Sequence, residues 1–233
     1  MKLIGRCLDL LYPPRCVFCD ALLGEGETYF CRSCGEKIPM AEGEHLCRKG
    51  TYFDRCVAPL YYQDMVREAF LGYKFHEKTW HASVYAAFLE PYVKKEFAHL
   101  DVVTWVPLSR RSHKDRGYDQ SELVAKALAK RLGLPCEKLV EKVRATQQQS
   151  RLDRPEERRA NVLGAYGVKN NAQIAGRSIL VVDDVITTGS TMEECCRVLA
   201  TAGAGAVHAA AVAQSAPKED AGAKAGQSIA NEK

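Results

Sequence analysis

No apolar run in this chain approaches the ~20 residues a helix needs to cross a bilayer, so nothing in the sequence reads as a membrane span. Nor is the N-terminal segment expected to be a cleavable leader. The segment Met1–Leu11 begins like one, but Arg6 and Asp9 interrupt its apolar stretch and no small-residue cleavage site follows. An amphipathic helix packing through Leu3, Ile4, Cys7, Leu8 and Leu11 is the expectation there, in a cytoplasmic protein. Strong net charge is lacking too. The balance is only +4 over 233 residues, which argues against a chain that works through bulk charge alone. The first fifty or so residues contain few large apolar side chains and cannot build a core by themselves.

What charge there is clusters. Between Pro107 and Asn161 fourteen Lys/Arg face eight Asp/Glu, a patch that a polyanionic diphosphate or a nucleic-acid backbone would exploit. Tyr118 is the only aromatic residue in that segment. This weakens the case for a single-stranded nucleic-acid surface, which needs stacking rings between its cations.

The richest stretch is Ile179–Thr191. Four apolar residues (Ile179–Val182) read as a buried strand. Asp183 and Asp184 stand at its end, the turn Thr187-Thr-Gly-Ser-Thr191 follows, and Met192, Cys195, Cys196 and Leu199 give helical spacing beyond it. A turn that opens a helix presents free amides to an anion. Gly189 permits a close backbone approach or a positive φ, and Thr187, Thr188, Ser190 and Thr191 add hydroxyl donors. The acids pose the opposite problem. Two carboxylates ~4 Å apart repel by about 4 kcal/mol at an effective dielectric near 20, so vicinal hydroxyls or a cation must compensate. Phosphate plus diol describes a ribose 5-phosphate.

Six of the ten cysteines lie within Cys16–Cys56, and Cys16, Cys19, Cys31 and Cys34 form two Cys-x-x-Cys knuckles eleven residues apart. That spacing predicts a structural, tetrahedral four-cysteine zinc site, closed to catalysis. Two disulfides are the competing reading, disfavoured in a reducing compartment. Cys47 and Cys56 stand alone and are not read as a second metal site, and Cys195 and Cys196 are expected to be buried packing residues.

Elsewhere the pattern predicts strands at Val57–Tyr62, Asp101–Pro107, Leu139–Val143, Leu163–Val168, Ser178–Asp183 and Ala206–Ala213. Helices are predicted at Met65–Phe75, Thr79–Phe97, Ser121–Leu132 and from Thr191 onward, with a polar loop at Arg110–Gln120 and a polar, flexible segment at Ala145–Arg159. The fold class is therefore α/β with a parallel sheet. The expected organisation is a helix and zinc-binding head over 1–58, an α/β domain over 59–213 and a disordered, Ala/Gly/Lys-rich tail over 214–233.

The run from Ile179 to Thr191 matches the phosphoribosyl-diphosphate (PRPP) signature of type I phosphoribosyltransferases at every specified position. Val106-Pro-Leu-Ser-Arg110 resembles the diphosphate loop of those enzymes. With the Arg116-Gly-Tyr-Asp-Gln120 run, Arg144-Ala-Thr-Gln-Gln-Gln149, Arg158-Arg-Ala-Asn161, the Lys74-Phe75 pair and the cysteine head, the chain through about Ala213 resembles the ComF family of competence-associated, phosphoribosyltransferase-like proteins. It departs from that family's double zinc ribbon in keeping only Cys47 and Cys56 of the second pair of knuckles.

The resemblance implies a type I phosphoribosyltransferase-like sheet behind a four-cysteine zinc-ribbon head. It implies PRPP bound with Mg²⁺ and phosphoribosyl transfer to an acceptor the sequence does not name, in DNA uptake or nucleotide salvage. Asp183 and Asp184 would hold the ribose hydroxyls, Thr187, Thr188, Gly189, Ser190 and Thr191 the 5-phosphate, and Leu108, Ser109 and Arg110 the diphosphate. Arg110 joins the two acids as a catalytic candidate, and Arg111, Lys114, Arg116 and Tyr118 are candidates for a lid. Two rival readings stand beside it: a PRPP- or nucleotide-sensing protein without the reaction, and a competence factor that handles single-stranded DNA.

Overall fold

The computed structural model describes residues 13–76, 78–109, 113–114, 116–146, 154–170 and 172–217. The expected N-terminal amphipathic helix and residues 218–233 of the expected tail lie outside them.

The organising element is the nine-residue strand Ser178–Ile186 (β7), with a second nine-residue strand, Ala206–Gln214 (β8), parallel beside it. Val102–Trp105 (β4) pairs parallel on the other side of β7, placing Trp105 opposite Val182. Beyond β8 the sheet is completed by Cys56–Val57 (β2) and Leu60–Tyr61 (β3), both parallel to it, and by Cys47–Arg48 (β1), antiparallel to β2. The order is thus β1-β2-β8-β7-β4 with β3 also on β8. The sheet runs across the boundary at residue 58, because two of its strands come from the head segment. The expected single strand Val57–Tyr62 is split in two, since Pro59 between the halves has no N–H to give to the ladder.

Alternation along β7 sends side chains into two cores. Leu180 and Val182 join one with helices Asp64–Phe75 (α2), His81–Glu96 (α3) and Gln120–Leu132 (α4). Ile179 and Val181 join the other with Ser190–Thr201 (α6) and the small antiparallel pair Val140–Lys142 (β5) and Tyr166–Val168 (β6). Burial on both faces accounts for the apolar run that marked this strand in the sequence. The Ala-rich β8 and the helical cysteines Cys195 and Cys196 are packed into these cores, the two cysteines fully buried, as expected of small apolar groups. Helix Pro155–Val162 (α5) corrects the reading of Ala145–Arg159 as wholly flexible: Pro155 stands at its first turn, where a missing N–H costs nothing. The described part of the Arg110–Gln120 segment likewise has helical spacing, with His113 N–H bonded to Ser109 O and Gly117 N–H to His113 O.

The head packs on α3 through rings: Phe30 stacks on Phe88 at 5.7 Å, and Phe18 meets both at 6.2–6.3 Å. A single α-helical turn, Arg32–Gly35 (α1), carries Cys34. The sulfur atoms of Cys16, Cys19, Cys31 and Cys34 all lie within 4.8 Å of one another, with Cys19 and Cys31 at 3.7 Å. A tetrahedral site with Zn–S near 2.3 Å puts its sulfurs about 3.8 Å apart, so the four residues fit zinc. Such a site is worth roughly 10–16 kcal/mol of apparent binding energy coupled to folding. Cys47 and Cys56 are not part of this cluster, which is the only one among the described residues. Burial pushes the Cys56 thiol up to about 12, which disfavours the thiolate a metal requires.

Two outcomes follow. Cys19→Ser or Cys31→Ser takes zinc content, measured by elemental analysis, from about one per chain to near zero and exposes the head to limited proteolysis; retention of tightly held zinc contradicts the site. A Cβ on Gly205 would sit 2.5 Å from Gly176 O, backbone against backbone. Gly205→Ala should therefore cost about 1–3 kcal/mol in denaturant unfolding, and an unchanged midpoint contradicts that close crossing.

Candidate functional site

β7 continues past the expected end at Asp183 to Ile186, carried by the β-branched Val185 and Ile186, so the two acids remain in register with Ala211 and its neighbours on β8. Alternation then turns consecutive carboxylates to different partners. Asp183 Oδ1 accepts from Ser121 Oγ at 2.8 Å and from the Asp184 amide at 2.8 Å. Asp184 Oδ1 accepts from the Val185 amide at 2.6 Å, and its Oδ2 lies 2.7 Å from Lys74 Nζ. Burial, and then the Asp184 charge, push the Asp183 carboxyl up to about 8, although Ser121, the Asp184 amide and Lys74 pull the other way. One carboxylate of the pair is thus balanced by an ammonium, while the other is poorly stabilised as an anion.

The partners come from two helices. Lys74 sits in the last turn of α2, its ammonium 5.7 Å from the centre of the Phe70 ring. Ser121 opens α4, whose N-cap is the buried Asp119. Asp119 accepts from the Ser121 and Glu122 amides and reaches back to the Leu108 amide at 2.9 Å. One carboxylate therefore ties the Pro107–Ser109 loop to the helix that holds Asp183. Burial raises the Asp119 carboxyl, opposed by those amide bonds. Lys74, Asp119 and Ser121 were not among the residues expected at the site. Asp119-Gln-Ser-Glu122 has the spacing of a capping box and could have been found; nothing in the sequence pairs Lys74 with Asp184.

The turn after β7 behaves as its composition suggests. Gly189 has φ +81° and opens α6 without a side-chain cap. Thr188 and Ser190 hydroxyls are 3.0 Å apart. The amides of Thr188 and Gly189 have no acceptor among the described residues. Thr187–Thr191 thus lies directly beyond the acids with donors to spare. Of the expected diphosphate donors, Leu108 has its amide engaged by Asp119, Ser109 lies in the described loop, and Arg110 falls outside the described residues, as does the lid candidate Arg111. Lys114 is exposed. Arg116 donates to Gln120 Oε1 at 2.9 Å and stands 5.3 Å from the centre of the exposed Phe75 ring, while the Tyr118 hydroxyl donates to Tyr73 O. Arg116 and Tyr118 therefore gather where α2 ends and α4 begins.

Two open clefts of about 560 and 500 Å³ lie elsewhere, by Ile174–Arg177 and by Lys49–Asp54. Neither gathers paired carboxylates beside an amide-rich turn, so chemistry rather than concavity locates the site.

A Phosphoribosyl transferase domain profile matches residues 119–232, which include both acids and the turn, and a Double zinc ribbon domain profile matches residues 7–63. DNA utilization protein YhgH of Salmonella typhi is 37% identical over 108 residues, 46% of this chain and 46% of that protein, so the match spans about half of that relative's length. Competence protein F of Haemophilus influenzae is 26% identical over 193 residues, 80% of this chain and 78% of that one. Among solved structures, the glutamine PRPP amidotransferase of B. subtilis complexed with ADP and GMP is 25% identical over 55% of this chain and 26% of its own, at a TM-score of 0.38, too low to establish a common arrangement. No described helix is long and apolar enough to cross a membrane. One chain thus joins a zinc-ribbon head to a phosphoribosyl transferase domain and is similar to competence protein F along most of its length, which is the arrangement that the resemblance to the ComF family implies.

Proposed function

We propose that the site binds PRPP and transfers its phosphoribosyl group to an acceptor. The observation that carries this reading is the juxtaposition of an acidic pair, half balanced by Lys74, with a helix-opening turn whose Thr188 and Gly189 amides are unengaged among the described residues. Asp183 and Asp184 accept the two ribose hydroxyls, the Thr187–Thr191 turn holds the 5-phosphate, and the Pro107–Ser109 loop faces the diphosphate. Carboxylates are hard oxygen donors suited to Mg²⁺; when bound, that ion would neutralise diphosphate charge. The C1–O bond breaks with its electron pair leaving on diphosphate, and the acceptor's lone pair forms the new bond to C1 as its proton is released. The chain's own share is orientation and charge: a fixed diol, a fixed phosphate and exclusion of water. We place this activity in the cytoplasm, in DNA uptake or nucleotide salvage, in keeping with relatives named competence protein F and DNA utilization protein.

A second reading, single-stranded DNA handling without transfer, is favoured by one feature. Phe75, 61% exposed, lies against the Arg116 guanidinium and adds a ring to a basic segment whose only aromatic residue of its own is Tyr118. On that reading Phe75→Ala weakens oligonucleotide binding about fivefold or more; equal affinities in a fluorescence titration dispose of it.

For the first reading, diol hydroxyls donate to an ionised Asp183. Affinity for PRPP with Mg²⁺ should therefore rise as pH climbs through about 8. Asp183→Asn should lose at least about tenfold at pH 8.5 and flatten that dependence. Stability moves the other way. A carboxyl whose folded-state pKa is raised takes up a proton on folding, so it costs stability increasingly from about pH 4 to about pH 8. Asp183→Asn should melt higher than the wild type at pH 9, with the gap closing toward pH 4. Unchanged PRPP affinity in calorimetry, or a wild type that melts higher at pH 9, overturns the assignment.

A further inference from the structure

The head does more than pack against the α/β domain: its strand β1 reaches the turn that opens α6. Arg48 Nη1, on β1, donates to the backbone oxygen of Thr187 at 2.8 Å across 139 residues of sequence. Among the described residues no carboxylate forms an ion pair with Arg48, so the guanidinium is not occupied elsewhere. A trans peptide points its C=O and the next N–H in opposite directions. Holding Thr187 O on the head side therefore turns the Thr188 N–H away from the head, and that amide has no acceptor among the described residues.

Two further contacts come from the same segment. The Thr51 and Tyr52 amides grip the Glu193 carboxylate at 2.8 and 3.1 Å. Glu193 lies in the first turn of α6, where an unengaged negative charge would oppose an anionic ligand. The fit is close: a Cβ on Gly50 would come within 2.5 Å of Glu193 Oε1. Register fixes Arg48 in turn, because β1 pairs it with Cys56 and Cys56 pairs with Ala209 on β8.

We propose that Arg48 is a positioning residue for the phosphate of the ligand, acting through the Thr187–Thr188 peptide. The zinc-ribbon segment is then a working part of the sugar-phosphate site and not only an appended scaffold. This rests on the phosphoribosyl reading above.

The test uses ribose 5-phosphate as probe, with the full-length, zinc-loaded protein. Arg48→Ala should lose about tenfold in affinity with a melting temperature within about 3 °C of the wild type. Arg48→Lys, which keeps a charged donor, should recover most of the loss. In ¹H–¹⁵N spectra the Thr188 amide should shift on ligand addition in the wild type and in Arg48→Lys, but not in Arg48→Ala. If the wild type binds ribose 5-phosphate, Asp183→Asn weakens it and Arg48→Ala does not, this inference fails and the site reading survives. A wild type that does not bind the probe removes both. Should Arg48→Ala misfold, Arg48→Gln takes its place. Parallel losses of affinity and melting temperature in Arg48→Gln and Arg48→Lys would mark the contact as structural only, against the proposal.

Discussion

Two carboxylates on consecutive residues at the end of a buried strand repel each other, and the surrounding structure is arranged around that repulsion. Lys74 lies 2.7 Å from Asp184, and Ser121 donates to Asp183 at 2.8 Å. Even so, burial and the neighbouring charge leave Asp183 raised to about 8. A fold under no functional demand would avoid such a pair, since burying a poorly compensated charge is costly. Keeping it makes sense if a ligand supplies the missing donors. The same logic reaches outward: Asp119 caps α4, which carries Ser121, and fastens the Leu108 amide of the neighbouring loop. The strand tip is therefore tied to α2 and α4, and α4 in turn to the Leu108 loop, before any ligand arrives.

The head follows an analogous logic. It lacks the apolar mass to fold alone and gathers four sulfurs into a zinc-sized cluster, then docks on α3 by stacked phenylalanines. Its trailing strands enter the main sheet, so the four-cysteine cluster and the acidic pair belong to one continuous body. Arg48 and the Thr51 and Tyr52 amides meet the turn and first helical turn after β7 directly.

Much of this was legible in the residues. β7 and the turn after it were readable because burial on both faces forces an unbroken apolar run, and because acids, glycine and hydroxyls there have few other uses. The four-cysteine cluster was readable because ligand spacing is local. The helix predicted over Ser121–Leu132 does end at Leu132, where Gly133, with φ +70°, caps α4. What stayed hidden was long-range. Nothing local links Lys74 to Asp184 or Arg48 to Thr187, since those contacts depend on how α2 and β1 are placed by the whole sheet. The strand broken at Pro59 and the helix beginning at Pro155 were misread for a different reason: proline acts through the hydrogen bond it cannot make, which a hydrophobic pattern does not register.

The central claim is that the Asp183 carboxylate is held at an energetic disadvantage that a phosphorylated sugar relieves. Its titration can be followed by carboxyl ¹³C resonance in a selectively labelled protein, with and without PRPP and Mg²⁺. The account predicts a midpoint near 8 in the free protein, falling by at least about one unit when the ligand binds. A carboxyl that titrates in the ordinary range near about 4, or one whose midpoint the ligand leaves in place, would contradict it.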